Sequence, residues 1–363
     1  MKKRMLSQDI AKGIAILAVV GLHGLQGTKT MYYTLGPITG FIMPFFIFMT
    51  GYNHHPKAGM TPWQTAKKRV LAILKVYAGW TIGTMIVMTA WFLIRKDATL
   101  PEIMKSFAGA VLSESGCKMI GWQLPISLFQ HVLAPLWFLQ YLICASLIFY
   151  PIVDYALRSV RNLFSVVLLL LGITFSFVCF GIQLPWGIHC APALAAVMLL
   201  GAQLGRENRF FAPTSRPAWA VLNTAVSFVI VNLIQFFYPS AGILGAGLLG
   251  EVAGPIEILF LCCFAVFGSY FLIHLGKLIE RIPVLSRCLI WFGQHSLIIL
   301  CLHRPLAYLI RDVMGLPHFI SGNPLYVDSI TTENLIAYLL VYAIMIPVIM
   351  AVDRLTGKAR MAG

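Results

Sequence analysis

Long apolar runs, each about the length of a membrane-crossing helix and each closed by a short polar or basic stretch, dominate the chain. A bilayer core is crossed by about 20 mostly apolar helical residues. Ten stretches approach that standard, near residues 10–26, 35–52, 69–94, 132–153, 163–181, 187–204, 217–237, 252–275, 288–308 and 334–352. The pattern predicts an all-α, polytopic membrane helix bundle of about ten spans, forming one integral-membrane domain over residues 1–363 with no separate soluble domain. The first run follows Met1-Lys2-Lys3-Arg4, as a signal peptide would. Asp9 and Lys12 break its apolar start, however, and Gly24-Leu25-Gln26-Gly27 offers no small-residue cleavage site, so it reads as a retained first helix. Between the third and fourth spans, Leu100 to Phe107 has the spacing of a short interfacial helix. The nearly uncharged Gly-rich stretch from Gly242 to Gly254 is expected to dip back toward the membrane under a cover of protein.

Composition narrows the class. Hydrophobic residues make up 59% and charged residues 11%, against roughly 25% charged in soluble proteins. Disorder, fibre and secreted disulfide scaffold are excluded. The net charge of +14 would point to nucleic acid in a soluble chain, but the Lys and Arg fall in short clusters between apolar runs. Positive charge in short loops is retained on the cytoplasmic side. With the N-terminus inside, 20 of the 27 basic residues lie in inner segments and seven, Lys29, Arg95, Lys96, Lys105, Lys118, Arg304 and Arg311, lie outside. Ten spans with both termini cytoplasmic satisfy the rule at every loop, so the expected partner is the lipid bilayer and not nucleic acid. Of the eight Cys, Cys144, Cys179, Cys262, Cys263 and Cys301 sit inside apolar runs and no CxxC occurs, which is the pattern of small apolar core residues.

A charge near the bilayer centre costs about 2.5–3.5 kcal/mol on insertion scales, so each one needs a reason. The first helix carries Asp9, Lys12 and His23. Lys12 and His23 are eleven residues apart, which puts them on one face, about 20° from eclipsed and about 16 Å apart in depth. Asp9 is one turn before Lys12 and can pair with it. The resulting stripe reads either as an interfacial ion pair with a hydrogen-bonded interhelix histidine, or as a polar track in which a cation holds an anionic ligand and a neutral His acts as base. Lys67, Lys68, Arg69 and Lys75 concentrate positive charge where the third helix enters from the cytoplasm. That suits a polyanion, though ordinary topology accounts for most of it. Glu257 in the eighth span and His303-Arg304 in the ninth are further intramembrane candidates, with a Glu257–Arg304 pair expected if those helices are neighbours. His274 and His295 read as structural. His54-His55, with no nearby carboxylate or Cys, is a poor metal site, and no metal is expected.

No P-loop, no G-x-G-x-x-G followed at the dinucleotide-binding distance by an acidic residue, no H-E-x-x-H and no G-x-S-x-G occurs. What remains is membrane chemistry or transport. Asp9-Ile-Ala-Lys12-Gly13, running on to His23, resembles the first-helix signature of the acyltransferase family 3 membrane O-acyltransferases, a basic residue followed after ten positions by His. Phe45-Phe46-Ile-Phe-Met-Thr50-Gly51-Tyr52 is similar to that family's aromatic run ending in Ser-Gly. Lys68-Arg69 resembles its basic motif, Pro135-Leu-Trp137 its Trp-containing motif, and Ser296 to His303 its late Ser-Leu…Leu-His segment. Lys12 stands where Arg is commoner, Thr50 where Ser is, and Ala72 where a second Arg is expected. No hydrolase-like extracytoplasmic domain is expected beside the bundle, so the chain resembles the family's stand-alone members.

The resemblance implies a ten-helix enzyme of the inner (plasma) membrane that moves an acyl group, usually acetyl, from cytoplasmic acyl-CoA to a hydroxyl of an extracytoplasmic or lipid-linked glycan. In that reading His23 deprotonates the acceptor, Asp9 and Lys12 orient the donor, and Arg69 with Lys67, Lys68 and Lys75 holds its phosphates. Trp137, His303, Glu257 and Arg304 serve the acceptor side, and a homo-oligomeric state is left open. A secondary transporter or lipid flippase is the competing reading, favoured by Pro44, Pro192 and Pro255 within spans. Against it stand the lack of a repeat between halves and of an intramembrane carboxylate chain. A non-catalytic envelope partner is the third, and it predicts that His23 is dispensable.

Overall fold

A computed structural model describes residues 5–24, 29–56, 59–113, 130–133, 136–182, 184–207, 217–237, 255–316 and 331–355. Within these ranges the side chains of residues 24, 29–39, 112–113, 130–131, 235, 237, 255–257 and 355 lie outside the description. Every regular element among the described residues is helical: α1 (Leu6–Gly24), α2 (Lys29–Tyr52), α3 (Pro62–Arg95), α4 (Leu100–Ser113), α5 (Gln130–Leu133), α6 (Trp137–Ala156), α7 (Val160–Cys179), a 3-10 turn at Pro185–Gly187, α8 (Ala191–Glu207), α9 (Pro217–Phe237), α10 (Pro255–Ile279), α11 (Pro283–Gln294), α12 (Ser296–Val313) and α13 (Thr332–Leu355).

Local chemistry sets where the long helices start. Thr61 caps α3 by accepting from the Gln64 amide at 3.2 Å, while the Gln64 side chain accepts from the Thr61 amide at 2.9 Å, and Pro62 occupies the first turn. Ser159 caps α7 by accepting from the Asn162 amide at 3.1 Å.

Eight continuous helices among the described residues are long and apolar enough to cross a membrane, and the bent pair α11–α12 makes a ninth. α2 lies where the second span is expected, and its described apolar stretch is Gly40–Tyr52. The bundle has an inside and a rim. α8 is mostly buried, whereas α3, α7, α9 and α13 keep most of their residues at the surface. The rim helices turn large apolar side chains outward, among them Ile86 on α3, Phe164 on α7 and Leu339 on α13. Such a surface would aggregate in water and is matched by lipid tails. The protein is an all-α, multi-pass membrane bundle.

Its centre is α1, α2, α8 and α10, packed at backbone distance. Gly201 and Gly205, four apart on α8, lie against the carbonyls of Phe48 and Tyr52 on α2. A Cβ at either would stand 2.3 Å from the oxygen. This small-xxx-small spacing lets two helices meet where lipid supplies no hydrophobic drive.

The ninth expected span is corrected by the structure. The apolar run 288–308 is not one helix: α11 and α12 meet at His295 and are bent by 78°. The His295 ring holds the break, with Nδ1 facing the Trp291 carbonyl at 2.7 Å and Nε2 facing Asp353 on α13. α11 therefore turns aside and packs across the beginning of α1. The short helix expected over Leu100 to Phe107 is present as α4, which runs on to Ser113, and Thr99 donates to Glu102 at its start. The stretch from Gly242 to Gly254 lies outside the described residues.

Candidate active site

We call the end of the bundle at which α1 begins its lower end. A cavity of about 410 Å³ opens there, between α1, α2, α3, α6 and the α11–α12 break. Helical spacing brings its walls together. Asp9, Lys12 and Ile16 form one face of α1, and Met43, Phe46, Thr50 and Asn53 one face of α2. Arg69 comes from α3, Phe138 and Tyr150 from α6, and Gly293, Gln294, Ser296, Leu297 and Leu300 from the break and the turn above it. Asp9 and Lys12 pair at 3.8 Å, as their one-turn spacing predicts. Asp9 is buried, whereas Lys12 keeps 28% of its side chain exposed. Thr50 and Asn53 turn their donors back onto their own helix, to the carbonyls of Phe46 at 3.0 Å and Met49 at 2.9 Å. The lower cavity is thus polar and cationic at its mouth, through Lys12 and Arg69, and apolar at its upper wall, where Ile16, Met43 and Leu300 close it.

His54 also lines this cavity, a role its sequence position beside Pro56 does not suggest. It stands edge-on to Phe149 at 5.4 Å and Tyr150 at 5.6 Å, and its Nε2 has no hydrogen-bond partner. Burial holds the imidazole below its ordinary pKa of 6.5, the Asp154 carboxylate opposes the shift, and His55 and Arg69 reinforce it. Among the described residues no group of three or more His, Cys, Asp or Glu is arranged for a metal ion.

Above the cavity the next turns carry a second polar group. His23 of α1 and His303 of α12 stack with ring centroids 5.3 Å apart and planes 28° from parallel. His303 is 1% and Arg304 9% exposed, and the Arg304 charge acts on both rings. His23 Nδ1, His303 Nε2 and Arg304 Nε are buried without a hydrogen-bond partner. Ionisable groups within membrane helices are functional-site candidates by default.

Residues 6–354, nearly the whole chain, match the acyltransferase domain that defines acyltransferase family 3. The chain belongs to acyltransferase family 3. No curated protein and no solved structure matches it. The protein is therefore a membrane acyltransferase, and the residues that resemble the family's motifs are distributed over both polar groups. The basic residue and His of the first-helix signature, Lys12 and His23, fall one in each. Thr50 and Arg69 line the lower cavity, and His303 belongs to the upper cluster.

Other sequence candidates lie elsewhere. Lys67, Lys68 and Lys75 are exposed on α3 and do not line the cavity, so of the basic cluster only Arg69 reaches it. Trp137 packs edge-on against Tyr141 at 5.1 Å and Phe138 at 6.1 Å. Phe138 is in the cavity wall and Trp137 is not. The Glu257 side chain, and with it the expected pair with Arg304, lies outside the described residues. Of the polar wall residues, Asn53, Tyr150 and Gln294 are not singled out by sequence, and His54 is weighed there only as a metal ligand. Their only signal is position, at the lower ends of apolar runs next to motif residues.

Proposed function

We propose that the protein transfers an acyl group, in the first instance acetyl, from cytoplasmic acyl-CoA to a hydroxyl of an extracytoplasmic or lipid-linked glycan. It would do so in the inner (plasma) membrane with both termini in the cytoplasm. The observation that carries this reading is the lower cavity, whose mouth holds Lys12 and Arg69 over an apolar upper wall. A cationic mouth suits the phosphates of a nucleotide thioester, and an apolar end suits its acyl arm. Lys67, Lys68 and Lys75, outside the cavity on the same helix, would draw the polyanion toward the mouth by their field instead of by contact. Asp9 would hold Lys12 in place, and Ser296 and Gln294 at the helix break would offer hydrogen bonds to the pantetheine amides.

The acceptor hydroxyl would meet the thioester beneath the His23–His303 pair. Loss of its proton to a histidine makes the oxygen nucleophilic, and the Arg304 guanidinium opposes the negative charge that develops on the carbonyl oxygen. Trp137 and Glu257 would belong to the acceptor side. The test is transfer in proteoliposomes, with labelled acetyl-CoA on the side of the basic loops and crude envelope glycans as acceptor. Label on glycan that depends on His23 is the expected result. A protein that neither binds acetyl-CoA nor labels glycan, but accumulates a solute, would be a transporter instead.

A further inference from the structure

We propose that His303 Nε2 is the atom that takes the proton from the acceptor hydroxyl. The inference rests on the acyl-transfer reading above and names the base within it.

The first observation is the tautomer. His303 Nδ1 lies 3.0 Å from the Ile299 carbonyl oxygen, one turn below on the same helix. A carbonyl only accepts, so Nδ1 carries the hydrogen and, in the neutral ring, Nε2 is left with a bare lone pair. That Nε2 is buried and without a partner. A ring anchored through one nitrogen, with the other free to accept, is the arrangement a general base needs. His23 lacks the anchor: its own Nδ1 is buried without a hydrogen-bond partner.

The second observation is reach. The upper wall of the donor cavity is made by Leu300 on α12 and Ile16 on α1. His303 is three residues beyond Leu300, about 4.5 Å along the helix, so its ring stands one turn above the wall against which the acyl end of a thioester would rest. The two rings are stacked, so neither nitrogen of one points at a nitrogen of the other. They do not pass a proton between themselves in this arrangement, and His23 acts by holding the face of His303.

The third is Arg304, next in sequence and 9% exposed, with Nε unpartnered. In the step as assigned, the hydroxyl O–H bond breaks with the proton going to His303 Nε2. The oxygen forms a C–O bond with the thioester carbon, and the tetrahedral oxyanion is balanced by Arg304. The C–S bond then breaks, and the leaving thiolate takes the proton back from the imidazolium. The products are the O-acyl ester and the free thiol of CoA. An imidazolium beside a guanidinium is electrostatically disfavoured once the oxyanion collapses, which drives this return.

The experiment compares the full-length wild type, His303→Gln, His303→Gly and His23→Gly in the proteoliposome assay, with acetyl-CoA affinity and thermal unfolding measured on each. His303→Gln is expected to lower kcat by about 100-fold or more with donor affinity within threefold of wild type. Added imidazole is expected to restore turnover to His303→Gly and not to His23→Gly. Transfer by His303→Gln within threefold of wild type, or rescue of His23→Gly alone, or loss in His303→Gly that imidazole does not relieve, overturns the proposal while leaving acyl transfer standing. A wild type that transfers no label overturns the acyl-transfer reading itself.

Discussion

Gly293 of α11 lies against the backbone of Asp9 in α1, so close that a Cβ at position 293 would stand 1.9 Å from the Asp9 carbonyl oxygen. The contact is reciprocal. A Cβ at Gly13, one turn further along α1, would stand 2.1 Å from the Leu289 carbonyl oxygen. These two glycines let the helix that carries Asp9 and Lys12 meet the helix that ends at the break. Both obstacles are backbone, so neither can rotate away.

Gly293→Ala and Gly13→Ala are therefore each expected to destabilise the bundle by about 1–3 kcal/mol, the range for forcing volume into a packed contact. Each should also weaken acetyl-CoA binding, because Asp9, Lys12 and Gln294 move with that contact. Gly79→Ala on α3, where nothing lies within 4 Å, is expected to leave both unchanged. Thermal unfolding in detergent alongside donor titration checks the three together.

Arg69 and Lys75 stand six residues apart on α3, and only Arg69 faces the cavity. Arg69→Ala is expected to weaken acetyl-CoA binding by roughly 10- to 100-fold, the equivalent of a charged hydrogen bond of about 1.5–3 kcal/mol. Lys75→Ala is expected to cost less than about threefold, and that cost should vanish at high salt, where an exposed charge is screened. Equilibrium binding at two ionic strengths separates contact from field.

The His295–Asp353 contact ties the helix break to the last helix. Replacing either, as His295→Gln or Asp353→Asn, is expected to lower stability, and the double variant should cost less than the two singles added. The expected coupling is about 0.5–3 kcal/mol. Because Gln294 and Ser296 flank His295 in the cavity wall, donor affinity should follow stability in these variants. A double-mutant cycle on both readouts measures this.

His54 supplies the pH dependence. Burial lowers its folded pKa below the ordinary 6.5, so the folded protein takes up this proton less readily than the unfolded chain. The stabilising difference is present above about 6.5 and is lost as pH falls through the folded value. The melting temperature of the wild type is expected to decline more steeply on acidification below about 6.5 than that of His54→Gln, which cannot titrate there.

Much of this arrangement is legible in sequence where physics is local. Asp9 pairs with Lys12 because they are one turn apart, and a 3.6-residue period puts Lys12 and His23 on one face. The apolar runs announce the long helices for the same reason. The break at His295 is not legible, since the apolar run resumes directly after Gln294-His295-Ser296 and the device holding the bend is a carboxylate 58 residues away. Nor is the stacking of His23 on His303, which exists only once α1 and α12 are neighbours. His54 is missed because a histidine after a helix end is ordinary until Phe149 and Tyr150 fold over it.

The apolar wall between Leu300 and His303 has an electrical consequence. With water in the lower cavity, the membrane potential would fall across the layer above it instead of across the full bilayer thickness. A unit charge crossing that layer between Lys12 and His303 works against most of the applied voltage, about 2.3 kcal/mol per 100 mV. Any step in which net charge moves across it would thereby be coupled to the energised state of the membrane.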